Sequence, residues 1–358
     1  MSPPPVVPRT LAGSRAGHAR GPAVEAAEQA VAELESSPAS AQLEALTWPM
    51  VRAELLGACL CEGLRRPNRR LPPALRRPPA TTDGAAASAA RLLIAPLDDP
   101  TAPWTAAELG SFHRRLLSGT RDDGAAGRFR DRAAWVGPDP DRQRSRFVAP
   151  EPGTIAPLVD DLVAFCCDET VSPVVRAALG HAQLAVLHPF PDGNGRTARL
   201  LVHAVFRRSA TSRRVYPLVA TALGVRSLRH RDDLRLHEQG RAQEWTEAFA
   251  GALVRACDDA ARLARRAGSL LDSLEQRLWP LLGPDAAELA ASLVATPVLD
   301  HTDLGIVLRG RTTLPVADLE VIRVLHRVDD TLWVCQEALD ALAGPCRERM
   351  HGLRRDGS

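Results

Sequence analysis

Apolar and polar positions recur with a helical period through most of this chain, and strand-like alternation is confined to short stretches. An Ala/Glu pattern predicts a helix over residues 23–35, and a second helix is expected over 49–64. Further helices fit 82–95 and 105–117, the latter opening on a capping box in which Glu108 stands three residues after Thr105. Residues 155–167 are amphipathic, and 173–187 form another helix running directly into His188, with a helix after it over 196–207. Beyond Tyr216, helices are expected at about 227–266 and 269–282. Between Gly127 and Pro152 the pattern changes. Phe129, Trp135, Val136, Phe147 and Val148 flank the turn residues Gly137-Pro138-Asp139-Pro140, which reads as a β-hairpin. Residues 285–343 give a helix, a turn, a helix at about 315–326 and a short strand over 329–334.

Composition refines this picture without changing it. With 358 residues the chain has room for two or three domains, and 45% apolar with 25% charged residues is ordinary for a soluble globular protein. A net charge of +2 gives no global attraction to nucleic acid. All 45 basic residues are arginines, which excludes a Walker-type or Schiff-base lysine, so phosphate must be held by backbone and guanidinium. The seven cysteines, Cys59, Cys61, Cys166, Cys167, Cys257, Cys335 and Cys346, include no C-x-x-C pair, which argues against a zinc site or a disulfide framework. Residues 1–22, rich in Pro, Gly and Arg, are expected to be a disordered tail without the apolar core of a signal peptide. No apolar run approaches a membrane span, so a cytoplasmic protein is expected with no membrane partner. The Pro-broken basic stretch 65–80 reads as a solvated linker, with contact to nucleic acid or an anionic surface as the alternative.

The chemistry concentrates in residues 188–199, His-Pro-Phe-Pro-Asp-Gly-Asn-Gly-Arg-Thr-Ala-Arg. A histidine takes protons near neutral pH. Asp192 offers a hard oxygen ligand suited to Mg²⁺. Gly193-Asn194-Gly195 supplies backbone that can approach an anion closely, at what should be a helix N-terminus. Arg196 and Arg199, three apart, share one helix face. His181, seven residues before His188, is expected to be an interior residue of the preceding helix.

This stretch resembles the signature of the Fic (filamentation induced by cAMP) family, H-x-F-x-[D/E]-G-N-G-R-x-x-R, and meets every fixed position. Gly127-Arg128-Phe129-Arg130 and Trp135-Val136-Gly137 are also family-like. The resemblance implies a mainly α fold with a β-hairpin flap that aligns a target side chain. It also implies protein adenylyltransferase (AMPylator) activity, moving AMP from ATP to a Ser, Thr or Tyr hydroxyl of a target protein, with Mg²⁺ as cofactor and self-modification as one outcome. On that basis His188 is the catalytic base and Asp192 the metal ligand. The amides of Gly193, Asn194 and Gly195 receive phosphate oxygens, and Arg196 and Arg199 hold the leaving pyrophosphate, Arg199 nearest the γ-phosphate. Phe190 is expected to plug into the core. In the related Doc-like toxins a lysine replaces the second motif glycine and a phosphoryl group is transferred. Gly195 stands there in this chain, which fits the AMP-transferring orientation.

Many Fic proteins carry an inhibitory helix, [S/T]-x-x-x-E-[G/N], and the nearest match is residues 58–63, Ala-Cys-Leu-Cys-Glu-Gly. By the resemblance Glu62 pairs with Arg199 and keeps the γ-phosphate out, with Ala58 replacing the usual hydroxyl. Two alternatives stay open. One is AMP removal, with Glu62 positioning a water; the other is a non-catalytic nucleotide-sensing regulator that binds DNA or a partner. For the latter, the helix–helix–strand order at the C-terminal end matches a winged helix, and Arg309, Arg311, Arg323 and Arg327 could meet phosphates. Asp318, Glu320, Asp329 and Asp330 argue against it, so packing or dimerisation is the preferred role. The expected organisation is a tail (1–22), an N-terminal helical region (23–95), a Fic domain (96–225), a helical extension (226–283) and a winged-helix-like module (284–358).

Overall fold

The computed structural model describes residues 7, 9–11, 20–38, 50, 54, 61, 104–117, 123–136, 147–212, 217–224, 227–308 and 315–341. Outside them lie Glu62, Ala58, the basic segment 65–80, the helix expected over 82–95, Arg309, Arg311 and most of the N-terminal tail.

Helix α1 (Pro22–Ser36) opens on a proline, whose fixed φ suits a first turn, and buries the stripe Val24, Ala27, Val31 and Leu34. The capping box forms at the start of α2 (Ala106–Leu117). The Thr105 amide donates to the Glu108 carboxylate at 2.7 Å, and the Glu108 amide donates to Thr105 Oγ1 at 3.2 Å. Strands β1 (Trp135–Val136) and β2 (Phe147–Val148) pair antiparallel, Trp135 opposite Val148, giving the expected hairpin. Helices α3 (Ile155–Cys167), α4 (Pro173–Leu187) and α5 (Asn194–Arg208) follow. Helix α4 is buried nearly all round, from Val174 to Leu187, which suits its mostly apolar sequence and makes it the axis of the domain.

After the short α6 (Val219–Gly224) and α7 (Ser227–Glu238) comes α8 (Ala242–Leu282), a single 41-residue helix. The expected break near residue 267 is absent, and the chain turns instead at Gly240, where φ is +78°. A glycine inside a helix, here Gly268, costs about 1 kcal/mol relative to alanine, and burial of Leu263, Leu270 and Leu274 on either side outweighs it. A positive φ stops a helix more surely than a glycine that stays helical. The C-terminal part contains α9 (Ala286–Ala295), β3 (Val298–Asp300), α10 (His301–Val307), α11 (Val316–Val321), β4 (His326–Asp329) and β5 (Leu332–Val334). The three strands form an antiparallel sheet in the order β3-β5-β4. The helix expected over 315–326 stops at Val321, because the chain reverses through Arg323 at φ +57°. Strand β3 went unforeseen, being too short to display a period of two.

Two buried apolar clusters result. One runs from Leu11 to Ala264 and the other from Ala267 to Ala338, with α8 contributing to both. At the far end of α5, His203 donates to the buried Glu54 carboxylate at 2.9 Å, which also accepts the Ala220 amide at 2.6 Å. His181 is buried and stacks on Trp245, as an interior residue should. Among the described residues no helix is long and apolar enough to cross a membrane.

Candidate active site

Helix α4 ends at His188, which takes the left-handed conformation (φ 47°, ψ 52°) and so turns the chain sharply into the loop that leads to α5. The ring lies partly buried, 6.5 Å from the ring of Phe147 on β2. Its Nδ1 stands 3.3 Å from the Ala185 carbonyl oxygen. A carbonyl only accepts, so Nδ1 carries the proton and Nε2 keeps a lone pair. Burial lowers the proton affinity of His188 below the ordinary histidine value. The positive charge of Arg130 adds to this, while the Ala185 carbonyl and Asp192 oppose it.

The loop is closed by polar contacts inside an apolar setting. Asn194 is buried, and its side chain spans the turn: the Phe190 amide donates to Oδ1 at 2.9 Å while Nδ2 donates to the Phe190 carbonyl at 2.8 Å. Phe190 is fully buried, stacked on His113 with ring centroids 3.8 Å apart and touching Phe129. His113 Nδ1 accepts the Gly127 amide at 2.9 Å, so its proton sits on Nε2, which donates to the Asp192 carbonyl at 2.9 Å. Gly193 adopts φ +76°, and a Cβ there would come within 3.2 Å of His113 Nε2. Only glycine meets both conditions without strain.

Gly193 is the N-cap of α5 and brings no side chain to occupy the first-turn amides, which leaves a helix N-terminus suited to an anion. Arg199 is buried, and its guanidinium lies against Gly195, where a Cβ would come within 3.2 Å of Nη1. Any side chain at position 195 therefore displaces that guanidinium. Arg196 donates to the Asp192 carboxylate at 2.7 Å, and the Asp192 side chain is 52% exposed. Among the described residues no group of three His, Cys, Asp or Glu side chains could hold a metal ion. One accessible carboxylate nonetheless fits Mg²⁺, which is commonly held by one or two carboxylates together with substrate phosphates.

His188, Asp192, Gly193, Asn194, Gly195, Arg196 and Arg199 thus meet in one loop and the first two turns of α5, while Glu62 falls outside the described residues. Two residues of this site escaped the sequence reading. Arg130 is buried, and its guanidinium donates to the carbonyls of His188 (2.7 Å), Arg132 (2.8 Å), Pro150 (2.5 Å) and Leu187 (3.4 Å). Its amide donates to the Pro189 carbonyl at 2.9 Å. The Gly127–Arg130 pattern was visible in the sequence, but its role was not. His113 gave no signal beyond its place on the buried face of α2, among Leu109, Phe112 and Leu116.

Residues 103–206 match the family model described as the Fic/DOC family. The protein adenylyltransferase fic-1 of Caenorhabditis elegans is 38% identical over 114 residues, 31% of this chain and 21% of that protein. The protein adenylyltransferase Fic of Drosophila melanogaster is 31% identical over 157 residues, 43% of this chain and 29% of that protein. The chain therefore spans well under half the length of these curated relatives. A solved Fic domain-containing signalling protein from Bacteroides thetaiotaomicron is 17% identical, with a TM-score of 0.52, covering 68% of this chain and 97% of that one. At that identity the likeness concerns the fold alone.

Proposed function

Because residues 103–206 form a Fic/DOC-family domain, we propose that the chain is a protein adenylyltransferase that moves AMP from ATP to a Ser, Thr or Tyr hydroxyl of a target protein. His188 Nε2 takes the hydroxyl proton, and the oxygen forms a bond to the α-phosphorus. The bond from that phosphorus to the oxygen bridging the β-phosphate breaks, and pyrophosphate leaves with the electron pair. The amides of Gly193, Asn194 and Gly195 receive the non-bridging oxygens where charge grows, and Arg199 holds the pyrophosphate. Asp192 would hold Mg²⁺, which would supply charge neutralisation at the phosphates. Arg196, hydrogen-bonded to Asp192, would be the second guanidinium for the pyrophosphate.

One observation carries the reading: the Arg199 guanidinium packed against a side-chain-free Gly195 at an uncapped helix N-terminus, one turn from a histidine with its Nε2 lone pair available. The curated relatives, themselves named protein adenylyltransferases, support it. Autoinhibition through Glu62 acting on Arg199 and a cytoplasmic setting belong to the same proposal. Among the described residues the unbridged thiols Cys166, Cys167, Cys257 and Cys335 suit a reducing compartment. For the C-terminal part, the helix–strand–helix–helix–strand–strand order supports a winged-helix-like module. Its Arg327 is engaged by Asp330 at 2.9 Å and lies over the Trp333 ring, which favours packing over DNA contact.

The test is self-labelling with ATP carrying label on the α- or the γ-phosphate, using the native chain, His188→Ala and Glu62→Gly. AMP transfer predicts label from the α-position alone, lost in His188→Ala and raised in Glu62→Gly. Label from the γ-position would overturn the reading.

A further inference from the structure

We propose that Arg130 is a positioning residue for this transfer, fixing His188 at the end of α4 and tying it to both arms of the β1–β2 hairpin. The proposal rests on the reading of His188 as the proton acceptor. Three features of the structure lead to it.

The first is the helix end. The last carbonyls of α4 lack intrahelical donors, and the guanidinium supplies them at Leu187 and His188 while placing positive charge at the negative end of the helix. The second is conformation. A left-handed backbone is strained at a residue other than glycine, so His188 holds it only if its surroundings insist. Arg130 grips the carbonyls of His188 through its side chain and of Pro189 through its amide, which fixes the two successive peptides on either side of Pro189. The third is reach. Pro150 follows β2 and Arg132 precedes β1, so the same guanidinium holds both roots of the hairpin, beside which a target segment would lie. All four of these side-chain bonds go to carbonyls and none to a carboxylate, so no ion pair holds the charge, although Glu151 acts on it through space.

The charged groups facing His188 are Arg130 from the strand side and Asp192 from the loop, and they act in opposite directions. With the arginine charge removed, Asp192 acts alone and the imidazole holds its proton to higher pH. A neutral acceptor is then lost earlier as pH falls.

The experiment compares the full-length native chain with Arg130→Gln, which removes the charge, and Arg130→Lys, which keeps the charge without the fork. Steady-state AMP transfer is followed across pH, with the titration of His188 followed by NMR and its resonance identified by loss in His188→Gln. For Arg130→Gln, kcat should fall about ten- to a hundredfold, as displacement of a reacting group does, with KM for ATP nearly unchanged. Its acid limb and the His188 titration should both move to higher pH. In Arg130→Lys kcat should fall less and the acid limb should stay in place. An unmoved His188 titration in Arg130→Gln, or a loss confined to KM, would overturn the proposal. Should Arg130→Gln fail to fold, the KM-against-kcat split in Arg130→Lys decides. A native chain that transfers no AMP, yet shows the shifted titration in Arg130→Gln, would place the failure in the functional reading and leave the arginine's hold on His188 intact.

Discussion

The loop at residues 188–196 and the C-terminal cluster at 267–338 are built on opposite principles. The cluster is held by apolar burial: Leu274, Leu278, Leu289, Leu293 and Leu299 are all fully buried there, and the ion pairs Arg277–Glu337 and Arg327–Asp330 sit near the surface. In the loop the fixing contacts are buried and polar. Asn194 binds both ends of the Phe190 peptide, His113 bridges Gly127 and Asp192, and Arg130 binds the last carbonyls of α4. Apolar contacts are non-directional and tolerate sliding, whereas each of these hydrogen bonds fixes an orientation. A stable module needs only the former. The transfer proposed for the loop, which aims a lone pair and several amides at one phosphorus, needs the latter, even where the net gain per bond is only about 1 kcal/mol.

The largest separation of the two should come from Leu293→Ala. Removing a buried leucine should cost about 2–5 kcal/mol, read by denaturant unfolding, while AMP transfer per folded molecule stays native. A matching fall in transfer would show that the regions are coupled. Asn194→Ala is the mirror image. Leaving the Phe190 amide and carbonyl without their partner should cost about 1–3 kcal/mol and lower transfer far more than that loss of stability accounts for. Loss of stability alone would remove the distinction drawn here.

pH offers a milder test confined to the polar region. His113 and His188 both have proton affinities lowered chiefly by burial, from an ordinary value of 6.5. Below that value the unfolded chain binds protons that the folded site refuses, so stability is fully present above about pH 6.5 and declines as pH falls further. Denaturation midpoints at neutral and mildly acidic pH should differ in the native chain and differ less in His113→Asn. The smallest effect should follow Gly251→Ala in α8. A Cβ there would meet only the end of the Arg255 side chain at 3.5 Å, so helix propensity should add about 0.5–1 kcal/mol, visible as a small rise in melting temperature with unchanged transfer.

How much of this was legible in the sequence depended on distance along the chain. The helices α2 to α5 and the hairpin are local patterns that sequence reading located, and the seven candidate residues from His188 to Arg199 are a local motif that it singled out. Arg130 lies 58 residues from the carbonyl it binds and His113 lies 79 from Asp192, so neither contact has a local periodicity to betray it. Glu54 meets His203 across 149 residues for the same reason. The misplaced break in α8 has another cause. Glycine marks a turn only where the backbone takes a positive φ, as Gly240 does, and composition alone does not separate that case from a glycine that stays helical.

Helix α8 deserves to be seen as a mechanical part. Its 41 residues span about 60 Å, with the Trp245 indole fastened to the Ala178 carbonyl of α4 near one end and Trp279 standing 54% exposed near the other. A rigid tilt of about 5° at the fastened end would carry the other end, with the C-terminal cluster packed on it, through about 5 Å over that length. The rod is thus a pointer. A fluorescence or spin-label distance at Trp279 would record such a tilt.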